Sequence, residues 1–65
     1  MLFAIKETYP DGDESYLHHQ HVKSLRFGEK ETAWTTDNKF EALFILDRIE
    51  LKNAGTDSIY EIVEL

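Results

Sequence analysis

The chain contains no cysteine, so neither a disulfide nor a thiolate metal site braces it, and no thiol is present to act as a nucleophile. A chain without cysteine suits a reducing compartment. Long apolar runs are missing too. The longest, Ala42-Leu43-Phe44-Ile45-Leu46, is far short of the roughly 20 residues a membrane helix needs. The opening MLFAIKE meets a charge at Lys6 before it gathers the apolar stretch of a secretory signal. These absences give the expectation of a soluble, cytoplasmic protein with no membrane partner. Basic residues are few: 7 Lys and Arg stand against 13 Asp and Glu, a net charge of −6. The bases (Lys6, Lys23, Arg26, Lys30, Lys39, Arg48 and Lys52) are spread singly, whereas nucleic-acid binding needs a clustered basic footprint. Direct contact with nucleic acid is therefore not expected, and the field favours basic protein partners instead. There is no glycine-rich phosphate loop and no serine nucleophile elbow. A chain this small also has little room for a pocket that excludes water. The expectation is a protein that is no enzyme and carries no cofactor.

What is present is material for one domain, residues 1–65. At 65 residues, folding buries about 60 % of the surface exposed by the unfolded chain, and one core supplies about 3–5 kcal/mol unless something staples it. Without cysteine, the supports left are an unusually good core, a metal held by histidine and carboxylate, or self-association.

Leu2 to Glu7 is apolar with β-branched and aromatic members and reads as a strand, with Phe3 and Ile5 on one face. Tyr9-Pro10-Asp11-Gly12-Asp13 is a turn, proline fixing φ at the first corner and glycine taking the positive φ that follows. A second strand starts at Ser15 or Tyr16 and continues, with a break around the histidines, to Phe27. Gly28-Glu29-Lys30-Glu31 reads as a turn and Thr32–Thr35 as a short third strand. Asn38, with Glu41 three residues on, has the spacing of a capping box. Lys52 suits the last turn and Gly55 the stop, which predicts a helix over 39–54. Ser58–Leu65 is the closing strand. The order β-β-β-α-β predicts an α+β fold: a mainly antiparallel three- or four-stranded sheet with one helix on one face. The expected core is Phe3, Ile5, Leu25, Trp34, Leu46, Ile49 and Ile62.

An opening LFAIKE strand, the pair Tyr16-Leu17 at the second strand, TAWTTDNKFEAL leading into the helix and a closing YEIVEL together resemble the very small orphan proteins of temperate bacteriophage genomes. The resemblance spans most of the chain and carries no catalytic or ligand residue. It implies a context, since many phage proteins of this size bind and block a host protein. The histidine-rich stretch departs from the pattern.

That stretch, LHHQHVK at 17–23, holds all three histidines. In a strand His19 and His21 share a face while His18 points away. Two imidazoles at this spacing suit a metal that takes its remaining ligands from carboxylates, or a pH-sensitive contact; a polar surface strand explains them equally. The helix is more informative. At about 100° per residue, Ala42, Ile45, Leu46 and Ile49 form one apolar stripe, and Phe40, Leu43, Phe44 and Leu51 form a second. A helix lying on one sheet needs an apolar arc of only about 100° or somewhat more. Either a strongly curved sheet and the loop 8–14 wrap the second stripe, or part of it (Phe44 and Leu51 above all) stays exposed for a partner. The acids Asp11, Asp13, Glu14, Glu29, Glu31 and Asp37 cluster in turns, where they are placed to make one negative edge against a basic partner.

These features lead to the expectation of a non-catalytic acidic interaction module. The type is a phage-encoded inhibitor of a host nucleic-acid-binding or defence protein, such as an anti-CRISPR. The partner sites are the second stripe and the acidic turns, and self-association to a homodimer goes through Phe40, Phe44 and Leu51. The alternative is a small metal-binding or regulatory domain centred on His19 and His21.

Overall fold

The computed structural model describes residues 1–18, 27–53 and 55–65. Strand β1 (Phe3–Thr8) is followed by β2 (Glu14–Leu17), β3 (Phe27–Gly28), a single 3-10 turn (Lys30–Thr32), helix α1 (Lys39–Lys52) and β4 (Ile59–Glu64). The strands form one antiparallel sheet in the order β3-β2-β1-β4, and α1 packs on one face of it. This is the α+β architecture that the sequence predicts.

The turn after β1 closes as its residues dictate. Gly12 takes φ +95°, its N–H donates to the Tyr9 carbonyl at 2.9 Å, and Tyr9 N–H donates to the Asp13 carbonyl at 2.8 Å. The Asp11 carboxylate accepts from Asp13 N–H at 3.0 Å. The hairpin register then sets Thr8 opposite Glu14 and Lys6 opposite Tyr16. On its other side β1 pairs with β4 along its whole length, from Phe3 opposite Glu64 to Thr8 opposite Ile59. Paired on both sides, β1 buries residues of both its faces: Ile5 and its neighbour Ala4 are both fully buried.

The third strand differs from expectation. Thr32–Thr35 forms no ladder; the third strand is Phe27–Gly28, paired with β2 as Leu17 opposite Phe27. Phe27–Gly28 takes the free side of β2, and the later segment is held by separate backbone bonds. Trp34 N–H donates to the Leu17 carbonyl at 2.8 Å, and Thr36 exchanges bonds of 2.7 and 3.0 Å with Phe3. Thr36 thus fills the place beside β1 that β2 leaves when it ends.

The helix starts where its cap places it. Asn38 Oδ1 accepts from the N–H groups of Phe40 and Glu41 at 3.0 and 3.3 Å. The reciprocal half of the capping box is made differently: Asn38 N–H donates to Thr36 Oγ1 at 3.1 Å. At the other end the Asn53 amide donates to the Ile49 carbonyl at 2.9 Å, and Gly55 turns the chain away at φ +96°. The helix therefore stops at Lys52. Replacing Asn38 by alanine leaves two first-turn donors without their acceptor. It should lower stability by about 1 kcal/mol, read as a shifted urea midpoint with an unchanged slope.

Ile5, Leu17, Ile45 and Ile49 form the core, with Phe27, Trp34, Leu46, Tyr60 and Ile62 packed against it. The Phe27 and Tyr60 rings meet at 5.9 Å, tilted by 53°. Of the core expected from sequence, Ile5 and Ile49 are fully buried, Trp34, Leu46 and Ile62 pack around them, and Phe3 is half-buried. Leu25 lies outside the described residues. Leu17, the first residue of the histidine stretch, is fully buried and was not among those expected.

Candidate interaction surfaces

Helix α1 buries Ala42, Ile45 and Ile49 against the sheet. Phe40, Phe44 and Leu51 fall within about 40° of arc on the opposite side, and they are 81, 60 and 74 % exposed. Leu43, on the flank, is also exposed. Neither the sheet nor the turn after β1 wraps this stripe. One sheet face offers a single apolar surface, so a helix with apolar residues on two sides leaves one of them in water. The Arg48 guanidinium lies 5.5 Å from the centre of the Phe44 ring, a cation over an aromatic face. The helix is electrically balanced: Lys39, Arg48 and Lys52 offset Glu41, Asp47 and Glu50, so the remaining four bases and ten acids carry the whole charge of −6.

The six acids are exposed, and Asp37 stands apart from the Asp11–Asp13 turn. Asp11, Asp13 and Glu14 sit where β1 turns into β2, Glu29 and Glu31 follow β3, and Asp37 precedes α1. Thr36 bridges to Phe3, which puts Asp37 at the end of β1 far from the Asp11–Asp13 turn. The reason is antiparallel topology: connections at the two ends of a strand lie a strand length apart. Glu14 is further committed to Lys6, whose ammonium lies 3.1 Å from it and 3.2 Å from Glu61. The hydrogen bond to Glu14, and then the one to Glu61, raise the Lys6 pKa.

His19 and His21 lie outside the described residues. His18 has a local partner: its Nε2 is 2.7 Å from the Glu29 carbonyl oxygen and 3.4 Å from Thr32 Oγ1. The imidazole lies across Gly28, where an added Cβ would sit 2.9 Å from the ring. His18 therefore ties the exit of β3 to the end of β2. Among the described residues, no three histidine or carboxylate side chains converge as a metal set.

One polar group escaped the sequence reading. Glu7 is only 7 % exposed and Ser15 only 9 %. Glu7 stands between Ser15 on β2 and Tyr60 on β4, and Ile5, two residues before it, is in the core. The Tyr60 hydroxyl donates to Glu7 Oε2 at 3.0 Å, and the Tyr9 and Ser15 hydroxyls share a bond of 3.0 Å. Burial, and then the bond to Glu7, push the Tyr60 phenol above its ordinary value. The period-2 pattern of β1 carries the signal, because Phe3, Ile5 and Glu7 share one face.

No protein family, curated protein or solved structure matches the chain.

Proposed function

We propose that the chain is a non-catalytic protein-interaction module. The observation that carries this is the outer stripe of α1, where two phenylalanines and a leucine stand in solvent on a rigid helix directly opposite the core. Leaving large aromatic side chains in water forgoes roughly 1.5–3 kcal/mol for each that can be buried. Clustered aromatic residues flanked by charge are what protein contacts use as anchors. The stripe is thus a docking surface for protein. The uneven charge adds a partner class: the acids of the turns draw a basic surface, of the kind that nucleic-acid-binding proteins present. In this reading the protein is a phage-encoded inhibitor of a host nucleic-acid-binding or defence protein, and its carboxylates stand in the partner's phosphate groove.

Affinity capture from a bacterial lysate tests this. The immobilised chain should retain a basic nucleic-acid-binding protein, release it as salt is raised, and block its binding to nucleic acid. Phe44→Glu, on an exposed position, should reduce retention roughly tenfold, the equivalent of about 1.4 kcal/mol, and leave the circular dichroism unchanged. Equal retention by Phe44→Glu would show that the stripe is not a docking surface, and no salt-sensitive capture would remove the basic partner.

A further inference from the structure

We infer that the outer edge of β4 is a second docking site, which takes an extended basic segment of a partner protein as an added strand. In the order β3-β2-β1-β4 the last strand is paired on one side only. One bond tells its two sides apart. Leu65 N–H donates to the Leu2 carbonyl at 2.9 Å, and backbone groups alternate sides along a strand. Ile59, Glu61, Val63 and Leu65 therefore direct their N–H and C=O groups at β1, while Tyr60, Ile62 and Glu64 direct theirs away from it. Among the described residues nothing bonds to these outward groups. The edge is six residues of unbroken register. It has none of the proline, lysine or bulge that blunts many edge strands; its only charges are carboxylates.

The side chains decide which strand fits. Tyr60 and Ile62 pack towards the core, so Ile59, Glu61 and Val63 share the face away from α1. Ile59 is 63 % exposed there. The inner side of β4 already shows the match: Lys6 of β1 stands opposite Glu61 and 3.2 Å from it, with Ala4 opposite Val63. Lys6 is also shared with Glu14, so one ammonium serves two carboxylates and the row Glu14–Lys6–Glu61 stays net negative. Among the described residues no base reaches Glu61 from the outer side. A strand with lysine or arginine opposite Glu61 continues the alternation of charge across the sheet. Apolar residues two positions to either side of that base then cover Ile59 and Val63. This pattern reads the same in both chain directions, so it fits a parallel or an antiparallel arrival. A second copy instead offers a β4 with Glu61, Glu64 and no base, which brings only like charge to the seam. The carboxylates thus guard the edge against self-pairing and select a basic strand. The α1 stripe takes no part in this edge, so either site can fail without the other.

Titration of the isotope-labelled full chain with the peptide acetyl-Thr-Val-Thr-Lys-Thr-Val-Thr-amide, followed by amide chemical shifts, tests this. The amides of Tyr60, Ile62 and Glu64 should move and slow in hydrogen exchange, and those of Phe40, Phe44 and Leu51 should not. A peptide with glutamate in place of its lysine should bind roughly tenfold less tightly. Glu61→Gln should erase that difference and Glu61→Lys should reverse it, both at an exposed position. Glu64→Pro, which removes one outward donor and no bond to β1, should weaken the lysine peptide more than Glu64→Gln, which removes only the charge. Phe44→Glu should bind the peptide as the wild type does. An unshifted β4 at about 1 mM peptide would overturn the site, and equal binding of the two peptides would overturn its preference for a base. Shifts along β4 that follow protein concentration without peptide would give the edge to a second copy and overturn the inference. Loss of the peptide in Phe44→Glu would do the same by placing it on α1, whereas lysate capture by that variant bears on the stripe alone.

Discussion

Leu17→Ala should leave the chain largely unfolded at physiological temperature. Leu17 is fully buried and packs with Ile5, Ile45 and Ile49. Truncating a leucine in such a site costs about 2–5 kcal/mol, the lost transfer energy plus the cavity left behind. A single core of this size supplies about 3–5 kcal/mol in all, so the two quantities are comparable and the folded population collapses. Leu51→Ala is the matching control, the same chemical change at a position 74 % exposed, and should stay within about 0.5 kcal/mol when the monomer is measured. Urea unfolding followed by circular dichroism separates the two. A Leu17→Ala midpoint close to that of the wild type would mean that β2 does not contribute this side chain to the core.

Tyr60→Phe should cost about 1.5–3 kcal/mol, the range for a hydrogen bond to a charged group. It removes only a hydroxyl, so the loss is not one of packing. The Glu7 carboxylate, 7 % exposed, loses the phenol that donates to it at 3.0 Å. The same pair predicts a pH dependence whose sign can be worked out. The folded phenol titrates above the unfolded one, whose ordinary value is about 10. Its contribution is therefore full below about pH 10 and is lost as pH rises through the higher folded value. Lys6, also raised, loses its contribution in the same direction, but it is a surface group screened by solvent. Wild type and Tyr60→Phe should thus differ most below pH 10 and converge in strong alkali. A difference that stays constant to the end of the titration would rule out the Tyr60–Glu7 bond as its source.

What was legible in the sequence follows the range over which each interaction acts. The helix was read nearly to the residue because its signals are local: Asn38 meets donors two and three positions on, and Gly55 needs only its own φ. The two apolar stripes were legible for the same reason, since helical geometry alone places Phe40, Phe44 and Leu51 opposite Ala42, Ile45 and Ile49. The third strand was not, because pairing depends on what lies alongside. Thr32–Thr35 has strand-forming residues, yet the side of β2 goes to Phe27–Gly28, whose two residues carry no period to detect. The separation of Asp37 from the Asp11–Asp13 turn was hidden similarly, as carboxylates in turns reveal nothing of which end of the sheet each turn occupies. Leu17 was obscured by its polar neighbours, and Glu7 by its charge, although its spacing from Ile5 assigns it to the core face.

The full-length pairing of β1 with β4 bears on how the protein is made. Residue 3 pairs with residue 64, and residue 8 with residue 59, so β1 leaves the ribosome well before the strand it pairs with. At about 5–20 residues per second, β1 waits several seconds for β4, with the edge that β4 will take left unpaired. During that interval its unpaired edge is open to any other extended chain. Contacts so distant in sequence also slow the search for the native state. The sheet is therefore completed in one late closure, when β4 docks along β1, and a chain that stops before Ile59 is left with an open strand rather than a smaller version of the fold.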